Sequence, residues 1–256
     1  MLADCGVAAG ELLKVAYVTD GDTLKLQDGR SVRVLGINAP EITHGKKAGQ
    51  PLGRESRLQA QAFIAAANSE IRLGFERETQ DHYGRLLAHV YDNRGRSLGA
   101  AQVRSGMAMQ IAVPPNSAQM DCLLRVEKEA RQKTLGMWGN SYWRPQPTVS
   151  LRGDETGFRL VRGRIAKIDI NSAVWLEFEG KLVARVAKKD WPLFAYQKSD
   201  WLALQGRSVE LRGWINPRKA KQMKSSTGAL HSTKAQEFKP LVIQLRSPSS
   251  IKVSAD

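Results

Sequence analysis

Two blocks of alternating apolar and polar residues dominate the chain, a pattern typical of β-strands with one buried face. Helical sequence and a proline-containing segment, Arg144-Pro145-Gln146-Pro147, separate the two blocks. In the first block the alternation predicts strands at 13–26, 31–37, 71–79 and 86–92. In the second block it predicts strands at 158–168, 173–178, 181–186, 208–215 and 241–245. So many short strands predict a mainly β fold built from small barrels, with some helix.

Helical spacing of apolar residues predicts three helices in the first half, at about 54–68, 98–105 and 118–135. The apolar positions of the first and third helices are Leu58, Ala62, Phe63 and Ala66, and Leu123, Val126 and Ala130. In the second half, a short helix at 198–205 falls between the third and fourth strands. Five strands with a helix in that interval is the order of an oligonucleotide-binding (OB) barrel. The pattern of the first half predicts a similar arrangement, a small barrel followed by helices.

The length of 256 residues predicts one large or two medium domains. We expect a first domain at 1–144, a linker at 145–156 and an OB-like domain at 157–256. A hydrophobic content of 42% is enough for ordinary cores. No apolar run approaches the roughly 20 residues that a membrane span requires.

The net charge of +14 is spread unevenly over the chain. Residues 1–144 carry 19 basic and 15 acidic side chains, a net charge of +4, whereas residues 145–256 carry 20 and 10, a net charge of +10. This excess favours a polyanionic partner, most simply nucleic acid, with salt-dependent binding. The alternative is a basic protein without such a partner.

A spaced set of polar residues in the first third of the chain has the parts needed to cut a phosphodiester bond. The set comprises Asp20-Gly21-Asp22-Thr23, Arg33, Asn38-Ala39-Pro40-Glu41 and Asp81-His82-Tyr83-Gly84-Arg85. Arginines can clamp and neutralise a phosphate, a metal can share its charge, and a glutamate can deprotonate water. Each part alone also fits a turn, a solvated arginine or a surface glutamate. Together they predict a metal-assisted nuclease.

These motifs make residues 14–139 resemble the staphylococcal nuclease (thermonuclease) family. The resemblance is carried by DGDT at 20–23, by Arg33 within VRVLGINAPE, by DHYGR at 81–85 and by GMWG at 136–139. It implies an OB barrel with three helices and a calcium-dependent nuclease that acts on DNA and RNA and leaves 3′-phosphates. The C-terminal half resembles an OB domain appended to some proteobacterial members of this family.

The resemblance also implies residue roles. Asp22 would bind the metal, Arg33 and Arg85 would stabilise charge on the phosphate, and Glu41 would act as general base. The family commonly has Asp where this chain has Asn38. An amide oxygen still suits calcium but brings less charge, which predicts weaker Ca2+ binding or a changed preference, with Mg2+ or Mn2+ as candidates. Ala39 can offer its backbone carbonyl as a further ligand.

Substrate contacts are expected outside the catalytic set. Tyr83 and His82 lie beside Arg85, and the basic loop at 43–53 contains Lys46 and Lys47. The staphylococcal enzyme stacks tyrosines on a base at the positions of residues 109–113, where this chain has no aromatic residue. Terminal-phosphate contacts and base preference therefore differ from that pattern.

The segment 214–239 is rich in basic residues and corresponds to the loop between the fourth and fifth strands of an OB barrel, a common oligonucleotide contact. Its candidate contacts are Arg218, Lys219, Lys221 and Lys224, and the candidate stacking residues are Trp175, Trp191, Trp201 and Trp214. We expect this domain to hold single-stranded or extended nucleic acid. The alternative is a solvated basic loop with tryptophans in the core.

The two cysteines, Cys5 and Cys122, are too far apart for a CxxC redox or zinc pattern. A disulfide would tie down the N-terminus and imply an oxidising compartment, whereas two unrelated thiols remain the alternative. Met1 to Gly10 lacks the features of a signal peptide, so either the protein is cytoplasmic or this is a mature form whose leader has been removed. Because a disulfide would require an oxidising compartment, we expect the mature periplasmic or secreted form.

The leading prediction is a sugar-nonspecific, monomeric nuclease. The main alternative hypothesis is a nucleic-acid-binding protein whose nuclease site has decayed. Asn38 favours this hypothesis, and the presence of the other site residues opposes it, namely Asp22, Arg33, Glu41 and Arg85. A scaffold that binds acidic proteins is a third reading. The salt dependence of DNA binding distinguishes it from the other two.

Overall fold

The computed structural model describes residues 5–6, 10–43, 45, 48–218 and 238–254. The chain divides into two compact units, Met1–Arg144 and Pro145–Asp256. Both are mainly β with short helices, as predicted. No helix among the described residues is long and apolar enough to cross a membrane.

The first unit contains a closed five-stranded barrel and three helices. Its strands are β1 Leu13–Asp20, β2 Thr23–Leu26, β3 Ser31–Val34, β4 Ile37–Asn38, β5 Glu70–Gln80, β6 Leu86–Asp92 and β7 Met109–Gln110. Its helices are α1 Gly53–Ala66, α2 Leu98–Arg104 and α3 Met120–Gln132. The barrel order is β1-β2-β3-β6-β5, closed by β5 on β1, with β3 and β6 parallel and the other pairs antiparallel. The short strands β4 and β7 pair separately.

The face of α1 that is buried differs from the predicted one. Leu58 is 51% exposed, and the buried side of the helix carries small or compact residues, which are Gly53, Ser56, Ala60 and Ile64. Of the predicted apolar positions, Leu58, Ala62 and Ala66 are exposed, whereas Phe63 is half-buried and packs against the core. The helix packs close to β1 and the turn that follows it, so small size matters more there than hydrophobicity.

The other two helices of the first unit match the sequence pattern more closely. Ser97 caps α2 by accepting a hydrogen bond from the backbone N–H of Ala100. In α3, Leu123, Val126 and Ala130 are buried as predicted.

The second unit contains a barrel with the same strand order. Its strands are β8 Gln146–Pro147, β9 Gly157–Ile170, β10 Ala173–Phe178, β11 Leu182–Ala187, β12 Ser208–Pro217, β13 Leu241–Gln244 and β14 Ile251–Val253. Its helices are α4 Trp191–Phe194 and α5 Lys198–Ala203. The order β9-β10-β11-β13-β12 closes on itself because β12 also pairs with β9, and β11 and β13 are parallel. This is the predicted OB order, with the helices between the third and fourth strands.

The start of the predicted linker at 145–156 is part of this second sheet. Gln146 and Pro147 form β8 and pair in parallel with β9. Thr148, which is 1% exposed, lies so close to Gly163 that a Cβ there would be 2.3 Å from its Oγ1. Packing onto the barrel therefore begins immediately after Arg144.

Alternation along β10 places side chains as the sequence predicts. Val174, Leu176 and Phe178 are buried, and Trp175 points to the other face. Of the other candidate stacking residues, Trp201 is only 2% exposed and packs against Phe194. Trp201 is therefore a core residue and offers no surface for stacking.

Cys5 and Cys122 form a disulfide that links the N-terminal segment to α3, as predicted. The backbone carbonyl of Cys5 also accepts a hydrogen bond of 3.2 Å from the hydroxyl of Tyr91 on β6. Cys5 is thus held at two points, to α3 by the disulfide and to the barrel by Tyr91.

Candidate active site

The turn between β1 and β2 is buried beneath α1. A Cβ on Gly21 would lie 1.8 Å from the Oγ of Ser56 and 2.7 Å from the Cβ of Ala39, so only glycine fits. This close approach covers the turn, and the following residue, Asp22, is only 6% exposed.

A buried glutamine holds the turn in place. The Nε2 of Gln102 on α2 donates to the carbonyl of Gly21 at 2.7 Å and to that of Ser56 at 2.9 Å. The Ser56 hydroxyl in turn donates to the carbonyl of Met107 at 2.7 Å. Neither Gln102 nor Ser56 was predicted to matter for the site, and their only sequence signal is a polar residue on an otherwise apolar helix face.

The carboxylate of Asp22 is the centre of the polar cluster. Its Oδ2 accepts a hydrogen bond of 2.6 Å from the backbone N–H of Ala39 and lies 3.1 Å from an Nη of Arg33. Its Oδ1 accepts a hydrogen bond from the Thr23 hydroxyl. Burial raises the pKa of Asp22 to about 6, although the positive charge of Arg33 acts in the opposite direction. Burial thus disfavours the ionised form of Asp22, and the neighbouring guanidinium of Arg33 favours it.

Arg33 connects Asp22 to Asn38. One guanidinium nitrogen donates to the carbonyl of Val34 at 2.6 Å, and the other lies 3.5 Å from the Oδ1 of Asn38. Pairing of β4 with β7 positions Asn38, and the side chain of Glu127 on α3 accepts a hydrogen bond of 2.6 Å from the N–H of Gln110 in β7. The structure thus brings together four residues that the sequence singled out, Asp22, Arg33, Asn38 and Ala39.

Glu41 lies in the loop after β4 and is exposed. Its backbone N–H donates to the Oε1 of Gln50, and its carbonyl accepts from the backbone N–H of the same residue. These bonds hold the loop against the start of α1, where Glu41 and Glu55 line a common pocket. Lys46 and Lys47 lie outside the described residues.

Arg85 immediately precedes β6, and β6 pairs with β3, the strand that carries Arg33. The Nε of Arg85 is 2.7 Å from the Oδ2 of Asp81. Burial opposes ionisation of Asp81, but hydrogen bonds from Arg85 outweigh it and lower the pKa of this carboxyl. Asp81 therefore orients Arg85 across the turn.

The Asp81–Arg85 turn also presents the two predicted substrate residues to solvent. Tyr83 is 74% exposed, and its ring lies 3.8 Å from that of His82 between centroids. The Arg85 guanidinium lies 5.6 Å from the Tyr83 ring centre. These three side chains form one exposed group.

Two of the polar groups in this cluster carry oxygen atoms of the type that a hard divalent cation prefers, the carboxylate of Asp22 and the amide of Asn38. Ala39 contacts Asp22 through its backbone N–H. Asp20 adds a second carboxylate, since it accepts a hydrogen bond from the backbone N–H of Asp22. Among the described residues, no group of three or more His, Cys, Asp and Glu side chains is arranged to hold a metal. Any ion here would depend on amide and backbone oxygens.

Comparison with known proteins places the first unit among nucleases. A family model described as "Staphylococcal nuclease homologue" matches residues 31–140. The thermonuclease of Staphylococcus intermedius is 31% identical over 132 residues, which cover 50% of this chain and 77% of that protein. An uncharacterized endonuclease of Escherichia coli O157:H7 is 33% identical with the same coverage. Endonuclease YncB of Bacillus subtilis is 31% identical over 48% of this chain and 59% of its own length.

The family model covers Arg33 and Asn38 of the polar cluster, and also Glu41 and the Asp81–Arg85 turn. On the strength of the matched motifs, the barrel that carries them and the length of the shared segment, the chain belongs to the staphylococcal nuclease family.

Proposed function

We propose that the protein is a metal-dependent nuclease that hydrolyses phosphodiester bonds in DNA and RNA. The observation that carries the proposal is the cluster of Asp22, Arg33 and Asn38, in which a buried carboxylate and a guanidinium lie 3.1 Å apart. Burying such a pair costs free energy and does little for the stability of a fold. The named nucleases among its relatives support the same activity.

Calcium is the proposed metal, held by Asp22, by the amide oxygen of Asn38 and by the carbonyl of Ala39. A bound divalent cation would supply positive charge beside the scissile phosphate. Because Asn38 brings no negative charge, we expect Ca2+ to bind more weakly than at a site with two carboxylates. Mg2+ and Mn2+ are the alternatives to be compared.

Arg33 and Arg85 are proposed to stabilise the phosphate as it gains charge. A guanidinium presents paired N–H groups that match two phosphate oxygens, which an ammonium group does not. Both arginines already pair with carboxylates, Arg33 with Asp22 and Arg85 with Asp81. These pairs fix the direction of each guanidinium before the substrate arrives, so less reorganisation is needed during the reaction.

Glu41 is proposed to act as general base. It is exposed and lines the pocket at the start of α1, so water and a phosphate can both reach it. Its backbone is held on both sides by Gln50. The base removes a proton from the attacking water, and the departing 5′-oxygen of the next nucleotide takes up a proton as the bond to phosphorus breaks.

The test is a cleavage assay on single-stranded DNA, double-stranded DNA and RNA in EDTA, Ca2+, Mg2+ and Mn2+. Glu41→Gln should lower the rate by at least about 100-fold, the usual contribution of a general base. Glu55→Gln is the matched control, because Glu55 lines the same pocket, and it should cut at close to the wild-type rate. Equal rates in the two variants would contradict the role of Glu41.

The alternative is a nucleic-acid-binding protein with a decayed site, which the replacement of a metal carboxylate by Asn38 favours. Wild-type protein that binds DNA tightly but cuts in none of the three metals would establish it. Asn38→Asp distinguishes the two further, because a restored carboxylate should strengthen Ca2+ binding.

A periplasmic or secreted location is proposed as well, supported by the disulfide between Cys5 and Cys122. Disulfides persist in oxidising compartments and are rare in the cytosol. Thiol labelling of the purified native protein should detect reactive thiols only after reduction. Two reactive thiols without reductant would contradict this location.

A further inference from the structure

The outer face of the second barrel carries an arrangement of aromatic and basic side chains that the proposed active site does not use. Trp175 on β10 points away from the core and pairs across the sheet with Asp169 on β9 and Arg185 on β11. Arg185 in turn pairs with Gln244 on β13. Four neighbouring strands thus place one polar or aromatic side chain each in a row across the sheet.

Arg185 is held on the face of the indole. Its guanidinium carbon lies 5.5 Å from the centre of the Trp175 ring. One of its nitrogens donates a hydrogen bond of 3.1 Å to the Oε1 of Gln244. The row therefore fixes the direction of the guanidinium by contacts on both sides.

Arg218 approaches the same indole from the end of β12. Its guanidinium carbon is 4.9 Å from the Trp175 ring centre and 5.5 Å from that of Phe238. Its backbone N–H bonds to the carbonyl of Pro240, which brings together the two ends of the basic segment between β12 and β13. Lys219, Lys221 and Lys224 of that segment lie outside the described residues.

These contacts do not resemble a structural core. Phe238 is 44% exposed and Trp175 is half-buried. In the part of the chain that the structure describes, neither Arg185 nor Arg218 forms an ion pair with a carboxylate. Two guanidinium groups held on aromatic rings retain N–H donors for an anion, and exposed rings suit flat, unpaired bases.

We propose that Trp175, Arg185, Arg218 and Phe238, here called the Trp175 patch, bind single-stranded nucleic acid. The arginines contact phosphate groups and the aromatic rings stack on unpaired bases. The excess of ten positive charges in residues 145–256 complements a polynucleotide. This inference rests on the proposed function only for the choice of nucleic acid as the natural ligand.

The test is binding of the full chain to a fluorescein-labelled oligothymidylate of about 15 nucleotides, a length that one barrel can occupy. Fluorescence anisotropy in EDTA separates binding from cutting. Trp175→Leu should weaken binding about tenfold, the loss expected for one stacked base. Trp214→Leu is the matched control. Trp214 is a partly exposed tryptophan on β12 of the same barrel, but its ring packs edge-on against Phe158 and not against Arg185 or Arg218, so this variant should bind within about twofold of wild type.

Charge is tested by its salt dependence. The double variant Arg185→Gln, Arg218→Gln should reduce the slope of log affinity against log salt concentration by about 1.4, or about 0.7 for each phosphate that the variant no longer neutralises. Lys198→Gln, Lys252→Gln removes the same charge elsewhere on this unit and should leave the slope unchanged. Trp175→Phe, which keeps a smaller ring, should recover part of the affinity that Trp175→Leu removes.

Equal losses of affinity in the two tryptophan variants, or an equal loss for duplex DNA of the same length, would overturn the proposal. The same experiments test the nuclease proposal separately. If the wild-type protein cuts in no metal but its binding still depends on Trp175, the nuclease proposal fails and the proposal for the Trp175 patch stands. If the wild-type protein cuts and the patch variants bind normally, only the proposal for the patch fails.

Discussion

The two barrels have the same strand order, yet their third strands carry arginines in different surroundings. Arg33 on β3 lies 3.1 Å from the buried carboxylate of Asp22. Arg185 on β11 lies over the indole of Trp175. The same residue type on the corresponding strand thus faces an anion in one barrel and an aromatic ring in the other. The barrel supplies position, and the neighbours of the arginine determine its chemistry.

The turn between the first two strands shows how this difference arises. In the first barrel the turn lies beneath α1, and Gly21 permits the close contact with Ser56. In the second barrel the corresponding turn, Asn171–Ser172, is exposed, and the Oδ1 of Asn171 accepts hydrogen bonds from the backbone N–H and the hydroxyl of Ser172. A carboxylate that follows a covered turn is buried, whereas one at an exposed turn would be solvated.

Removing the disulfide should change the free energy of unfolding of the first unit far more than that of the second, and it is the largest effect that we expect. A bond that closes a loop of 117 residues is expected to stabilise the first unit by about 4–5 kcal/mol, through restriction of the unfolded chain. Cys5→Ser, Cys122→Ser should lower the free energy of unfolding of the first unit by up to that amount and leave the second unchanged. Hydrogen exchange in rising denaturant measures the two units separately. A shift of both units together would show that they unfold as one.

Arginine-to-lysine substitutions test the contrast between the two third strands. Arg33→Lys should slow cutting about 100- to 1,000-fold, because an ammonium group does not reproduce the paired contacts to phosphate. Arg185→Lys keeps the charge of the Trp175 patch and should leave single-turnover cutting of a short duplex within about threefold. Comparable losses in both variants would mean that the second barrel takes part in the chemistry.

Substitutions in the two turns test whether packing of α1 over the first turn makes that turn sensitive to side-chain size. Gly21→Ala would place a Cβ 1.8 Å from the Ser56 Oγ and should cost about 1–3 kcal/mol of stability. Ser172→Ala lies in the exposed turn and should change stability by less than about 0.5 kcal/mol. Urea unfolding measures both values. Gly21→Ala combined with Ser56→Gly should recover only part of the loss, because it removes the clashing hydroxyl but leaves the new Cβ 2.7 Å from the Cβ of Ala39.

Lowering the pH should reduce the cutting activity proposed for the first barrel and leave the DNA binding proposed for the second barrel unchanged. Burial raises the pKa of Asp22 to about 6, so the carboxylate gains a proton as the pH falls through that value and loses its affinity for a cation. With metal below saturation, cutting should fall about tenfold for each pH unit below about 6. Binding of single-stranded DNA in EDTA should stay constant between pH 5.5 and 8, because arginines remain charged throughout. Cutting that is flat over the same range would contradict a role for Asp22.

The sequence predicted most of the elements whose apolar residues recur at regular spacing. It missed the elements that depend on contacts between residues far apart in the chain. Alternation identified the barrel strands of the second unit, and the spacing of Leu123, Val126 and Ala130 identified the buried face of α3. In the first unit alternation predicted one strand at 13–26, where the structure has the antiparallel pair β1 and β2. The strands β4 and β7 are two residues each, too short to show alternation, and they form only because they pair across about 70 residues of chain.

For the site, the sequence singled out the groups that face the cation and phosphate but not those that support them. Asp22, Arg33 and Asn38 have chemically distinctive side chains in a recognisable order, and the structure brings them together. Gln102 and Ser56 act by filling and bonding a narrow space beneath the turn, a role that appears only when α1 and α2 are packed. The hydrophobic pattern of a sequence does not reveal where a contact requires a small side chain.

The link between Cys5 and Cys122 also has a consequence for exposure to proteases. A single cut of the backbone anywhere between these two residues would leave two fragments that are still covalently joined. Much of the barrel and the loop that carries Glu41 lie within that interval. A nicked chain would therefore migrate as one species on a non-reducing gel, and the pieces that build the site would stay at high effective concentration instead of diffusing apart.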